Sequence, residues 1–176
     1  MRDKGNFDMI IMGIDPGIAI VGYGIVDYDQ KKTRFTTIAH GAITTKAGVK
    51  TERRLEIVYS ELDSLIKLYH PSDIAIEELF FNTNQKTAII VAEARGVILL
   101  CAKQNDVNIY EYTPLQVKQS VVGYGRAEKA QVILMTKDIL RLKDMPKLDD
   151  TADALAIAVC HAHTGGSKLR EYYNIK

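Results

Sequence analysis

Only two cysteines occur in the chain, Cys101 and Cys160, and they form no CxxC pair. A disulfide framework and a thiolate metal cluster are therefore excluded, and each cysteine, set in an apolar helical context, is expected to be a reduced structural thiol. No apolar run approaches the roughly 20 residues needed to cross a bilayer, and the opening MRDKGNFDMIIMGID has acids on both sides of its apolar stretch, unlike an export signal. A cytoplasmic location is expected. No His/Cys metal-ligand spacing, Ser-His-Asp or Cys-His arrangement stands out, and GYGR is too poor in glycine to cradle a phosphate alone. Bulk charge is also lacking. The net value is +1, so any polyanion partner must be met by a local patch. Between positions 112 and 147 seven basic residues face three acidic ones. That stretch is either a phosphate-facing surface or an ordinary solvated helix face.

A chain of 176 residues with 47% apolar content suits one compact domain. Residues 1–8 are polar and unpatterned and read as a leader, 9–164 as the domain, and 165–176 as a tail. An apolar run at 9–14 leads to the turn signal Asp15-Pro16-Gly17, followed by strand-like segments at 21–28 and 34–43, which predicts a three-strand antiparallel meander. Leu55, Val58, Leu62, Leu65 and Tyr69 recur at helical spacing and stop before Pro71. A strand at 73–79, a helix at 86–104, a strand at 108–112, helices at 115–122 and 127–142, and a last helix from near Asp150 complete the pattern. Strand and helix alternate after the meander, so the expected fold class is α/β: a mixed five-stranded sheet with helices on both faces. The 86–104 helix carries Ala88, Ala92 and Gly96 four apart, a face able to pack closely on its own sheet or on a partner helix.

Two acids interrupt apolar strands. A buried carboxylate without a partner costs several kcal/mol, so such residues are paired, capped or bound to a cation. Asp15 either caps its turn or belongs to a site; Glu77 either faces solvent at an edge or belongs to the same site, with Glu78 on the opposite face. Asp150 and Asp153 share a face in the first turn of DTADALAIAVCHAH, where acids also stabilise the helix dipole, and Asp149 is a candidate cap. Two acids at strand ends and two on one helical turn form an all-carboxylate set. Such sets suit hard cations, magnesium or manganese, held about 4 Å apart in phosphodiester hydrolysis. His161 and His163 lie further along that helix and are expected to be structural.

GIDPGIAIVGYGIV, AIEELFF, EARGVILL, EYTPLQVKQSVVGYGRAEKAQV and DDTADALAIAVCHAH together resemble the RuvC Holliday-junction resolvases, from about position 9 to 164. The resemblance implies a ribonuclease H-like fold and a homodimer that nicks a four-way DNA junction symmetrically, alongside a branch-migration helicase complex. It places the catalytic and metal-binding acids at Asp15, Glu77, Asp150 and Asp153, with Asp149 as the alternative to Asp150, which the spacing favours, and with two Mg2+ per subunit and Mn2+ as a substitute. It further implies that Phe80 stacks on an unpaired base, and that Lys118, Arg126 and Lys129 contact DNA. For Phe80 the competing role is core packing. The tail GGSKLREYYNIK is less basic than those of some relatives. Two rivals remain: an actin-like or sugar-kinase-like phosphotransferase, which shares the GIDxG opening but needs a second comparable domain, and a catalytically silent junction binder, which has no use for four acids.

Overall fold

The computed structural model describes residues 8–78 and 85–165. The elements run β1 (Asp8–Asp15), β2 (Ile20–Asp29), β3 (Arg34–Thr44), α1 (Thr51–Tyr69), β4 (Asp73–Glu77), α2 (Gln85–Gln104), β5 (Asn108–Tyr112), α3 (Pro114–Val122), α4 (Lys129–Leu140) and α5 (Asp149–Gly165). The five strands lie in the order β3-β2-β1-β4-β5. β1, β2 and β3 pair antiparallel as a meander, and β1, β4 and β5 pair parallel. The mixed sheet expected from the sequence is thus present.

Boundaries differ in detail. Asp8 already pairs with Asp29, so the first strand takes in the last position of the expected leader, and α5 runs one residue into the expected tail. The fourth strand stops at Glu77, while α4 is shorter at both ends than the expected 127–142. At its start the Glu128 N–H donates to the Gln131 side chain (2.8 Å), and at its end Arg141 takes a left-handed conformation (φ 53°) that stops the helix.

Strand alternation sorts the core into two layers. Met12 and Ile14 on β1, Val21 and Ile25 on β2, and Ile74 and Ile76 on β4 point to the face covered by α1 and α2. Ile11, Val26, Tyr28 and Ala75 point to the other face, covered by α3, α4 and α5. Positions 11, 13 and 15 alternate together, as do 73, 75 and 77, so Asp15 and Glu77 belong to the α5 face.

α5 lies unusually close to that face. A Cβ on Gly13 would collide with the Ala154 carbonyl, one on Gly22 with the Asp150 carbonyl, and one on Gly24 with the Leu155 side chain. The bare backbone of these glycines lets a helix of small residues approach the sheet, and all eleven positions from Thr151 to Ala162 other than Asp153 are buried. Its ends are also tied down. Thr151 Oγ1 donates to the Gly41 carbonyl (3.0 Å), and His161 Nδ1 lies 2.7 Å from the Tyr112 hydroxyl, with Nε2 3.4 Å from Asp73 Oδ2. Thr164 donates to the same hydroxyl (3.0 Å), and His163 Nδ1 donates to the Ser120 carbonyl (3.0 Å). Both histidines are structural.

Cys101 and Cys160 are fully buried, and burial pushes their thiols up to about 11 and about 12. They are inert thiols. On α2, Ile98, Cys101 and Ala102 join the core layer between the sheet and α1, and Ala94 is buried as well. Of the small-residue stripe, Ala88 and Ala92 are half-buried, while Gly96 is exposed and a Cβ there would meet nothing within 4 Å among the described residues; Ile89 and Leu100 are exposed as well.

Candidate active site

β1 and β4 run parallel with Ile14 opposite Ile76, so the next residues, Asp15 and Glu77, end two adjacent strands on one face, about 5 Å apart in the strand-to-strand direction. The first turn of α5 lies over that face because Gly22 admits the Asp150 backbone. Asp150 and Asp153, three apart, therefore enter the same region. All four acids are half-buried.

Their mutual influence shows in the electrostatics. Asp15 is pushed up to about 7, first by burial and then by the negative charges of Glu77, Asp153 and Asp150. Glu77 is raised by burial and by Asp153. Asp149 is exposed and is not among the charges acting on Asp15, whereas Asp150 is half-buried and is one of them. Nor does Asp149 sit outside the helix as a cap; it is the first residue of α5. Glu78 is exposed, its N–H donating to the Tyr112 carbonyl (2.8 Å).

Among the described residues, the cation paired with these acids is Lys129. Its Nζ lies 2.9 Å from Asp153 Oδ2 and 3.3 Å from Asp149 Oδ2. Burial works against its charge, but the hydrogen bond to Asp153 and the attraction of both aspartates outweigh it and hold the ammonium above the ordinary lysine value. Lys118 and Lys129 line a groove of about 230 Å³ together with Glu77, Asp153, Pro114 and Val132. Arg126 is exposed just before α4. Phe80 lies outside the described residues. The pairing of Lys129 was not legible in sequence, because it joins residues 20 and 24 positions apart on different helices.

Do these residues suit a divalent cation? The donor set is all hard oxygen, with four carboxylates that repel one another around a half-buried centre, which is the chemistry magnesium or manganese matches. Among the described residues no three His, Cys, Asp or Glu side chains are grouped closely enough to hold one ion together. Among the described residues, the cation that acts on Asp15 and Glu77 is the Lys129 ammonium, placed on the Asp153 side. In kind, these oxygen donors fit a hard divalent cation.

A pH effect follows for the protein in chelator. A carboxyl whose folded value lies above its unfolded one stabilises while protonated, so the contribution of Asp15 is full below 3.8 and is lost as pH rises through about 7. Asp15→Asn removes this titration. Its melting temperature relative to wild type should therefore climb between pH 4 and pH 7, and a difference that stays flat would show that Asp15 does not carry the raised value.

Comparison with known proteins finds relatives over nearly the whole chain. The family model of crossover junction endodeoxyribonuclease RuvC matches residues 11–161. A relative of that name from Alkaliphilus oremlandii (strain OhILAs) is 56% identical over 168 residues, covering 96% of this chain and all of the relative. The structure of Thermus thermophilus RuvC superimposes with a TM-score of 0.83 at 34% identity, covering 89% of this chain and 95% of that one. T. thermophilus RuvC in complex with Holliday junction substrate gives 0.82 at 31% identity with the same coverage.

Proposed function

Because the chain belongs to the RuvC family of crossover junction endodeoxyribonucleases, with its ribonuclease H-like fold, we propose that it resolves four-way DNA junctions by paired symmetric nicks. The observation that carries this reading is the meeting of two strand-end acids with the acid-bearing first turn of α5, beside a lysine-lined groove.

Asp15, Glu77, Asp150 and Asp153 are the catalytic acids of this reading and would hold Mg2+, two per subunit, with Mn2+ as a substitute. When bound, magnesium would supply an activated water and stabilise the departing 3′ oxygen. The chain's own residues supply placement. Lys118, Lys129 and Arg126 hold phosphates, which fixes the register of the junction without reading bases. Phe80 stacks on an unpaired base at the crossover, a contact worth roughly 1–3 kcal/mol. The single domain acts in the cytoplasm beside a branch-migration helicase complex.

Cleavage of a synthetic four-way junction, with and without magnesium, tests the reading. Paired nicks only with the metal support it; tight binding without nicks at any metal concentration would favour the silent junction binder. Within the groove, Lys118→Ala should weaken binding to junctions of any sequence and lower the slope of log affinity against log salt by about one unit. A slope equal to wild type takes Lys118 off the phosphate path.

Two symmetric cuts call for two sites related by a two-fold axis, so the active form is a homodimer. The exposed face of α2, with Ile89, Gly96 and Leu100, supplies a surface a second copy could cover. A Cβ added at the exposed Gly96 meets nothing within 4 Å among the described residues, so the fold of a Gly96→Glu variant should survive. Sedimentation should then give a monomer that nicks without a coordinated second cut, whereas a mutant that remains dimeric places the interface elsewhere.

A further inference from the structure

Lys129 is the first residue of α4, and its half-exposed ammonium reaches the acids from the groove side. Its two partners differ in kind. Asp153 belongs to the proposed ligand set; Asp149, adjacent on α5, does not, and is exposed. Lys118 lines the same groove but takes part in none of the ion pairs among the described residues. The ammonium therefore stands with one contact inside the carboxylate cluster and one outside it, on a flexible four-carbon stem.

We propose that Lys129 is an exchangeable counter-ion: it neutralises Asp153 and Asp149 until a divalent cation takes Asp153, and the released ammonium then turns to a DNA phosphate in the groove. This rests on the metal-site reading above. A partly exposed ion pair is weak enough to give way. A doubly charged cation on Asp153 repels a nearby ammonium more strongly than Asp149 alone attracts it. The groove offers the displaced group a nearby anion, the backbone of bound DNA. The coupling is reciprocal: a phosphate that draws Lys129 off Asp153 raises the affinity of the carboxylates for the metal, and metal loading tightens the grip on DNA. Metal and substrate then bind as mutually reinforcing ligands, which disfavours metal loading in the absence of DNA.

The test uses the full chain without DNA. Mn2+ is titrated calorimetrically into wild type, Lys129→Gln and Lys118→Gln, the last removing an equal charge from the same groove without removing an ion pair. Lys129→Gln should bind Mn2+ about fivefold tighter than wild type, the scale of one partly exposed ion pair, and Lys118→Gln should stay near wild type. In wild type, the rate at which acetic anhydride modifies Lys129, followed by mass spectrometry, should rise several-fold on adding Mg2+ while that of Lys118 does not. Equal Mn2+ affinity in wild type and Lys129→Gln, or Lys129 labelling unmoved by saturating metal, overturns the proposal while leaving the metal site standing. Wild type that binds no Mn2+ at millimolar concentrations overturns the metal site itself, and the counter-ion role with it.

Discussion

Asp153→Asn is expected to cut cleavage of a four-way junction by at least about a hundredfold, the scale on which removing one charge-stabilising group at a reacting centre acts, while junction binding stays at or above the wild-type level. The asymmetry comes from what Asp153 touches. Its charge raises both Asp15 and Glu77, and its Oδ2 holds Lys129. The amide keeps the shape of the side chain but removes the charge that would draw a cation in, so chemistry suffers and folding does not. Lys129 is at the same time held less firmly and becomes more available to phosphate. Single-turnover cleavage in magnesium and gel-shift binding in chelator separate the two effects. Parallel loss of both would indicate a folding defect, and cleavage at the wild-type rate would remove Asp153 from the catalytic set.

Gly22→Ala should lower stability and cleavage together. The added methyl group has no room, since the Asp150 carbonyl occupies its place and the Thr151 nitrogen lies just beyond. Neither is the end of a flexible side chain; both are backbone of α5. The helix must lift from the sheet at its first turn. Overpacking of this kind costs about 1–3 kcal/mol, which at roughly 2–4 °C per kcal/mol for a domain of this size gives a fall in melting temperature of up to about 10 °C. The same displacement carries Asp150 away from Asp15, so metal affinity and cleavage should fall even at temperatures where the mutant is fully folded. A mutant that melts early but cuts normally at 20 °C would show that the close approach serves stability alone.

The elements that were legible in sequence are those whose periodicity is unbroken. The Leu55 to Tyr69 stripe and the alternation of strands and helices gave the order of layers, and the acids stood out because they interrupt apolar strands. Less visible was what depends on pairing across the fold. β3 carries an irregularity against β2, where Ile25 faces Ala39 and Val26 faces Thr37, leaving Ile38 unpaired and exposed; no local residue choice announces it. The contact of α5 with the sheet had a signal that was easy to pass over: Gly22 and Gly24 are two apart, hence on one face, and Gly13 pairs with Gly24. A patch of three glycines on one face of a sheet marks the place where another backbone comes close. Asp73, deep in the Tyr112–His161 network, was hidden for a different reason, since as the first residue of a strand it reads as a turn acid.

The way α5 is fastened decides where this site can yield. Thr151 is bonded to β3 at one end, His161 and Thr164 to β5 at the other, and the glycine patch leaves no slack beneath. A helix held in this manner can neither slide along its axis nor rock toward the strands without breaking several contacts at once. Asp150 and Asp153 thus behave as a fixed jaw, with Asp15 on the central strand as its counterpart. The adjustable parts are the side-chain torsions of Glu77, at the end of its strand, and the stem of Lys129 on α4. Mechanical compliance is thus concentrated on the groove side, where a bulky branched substrate has to enter, and the rigid side sets the distance to which anything captured between the jaws must conform.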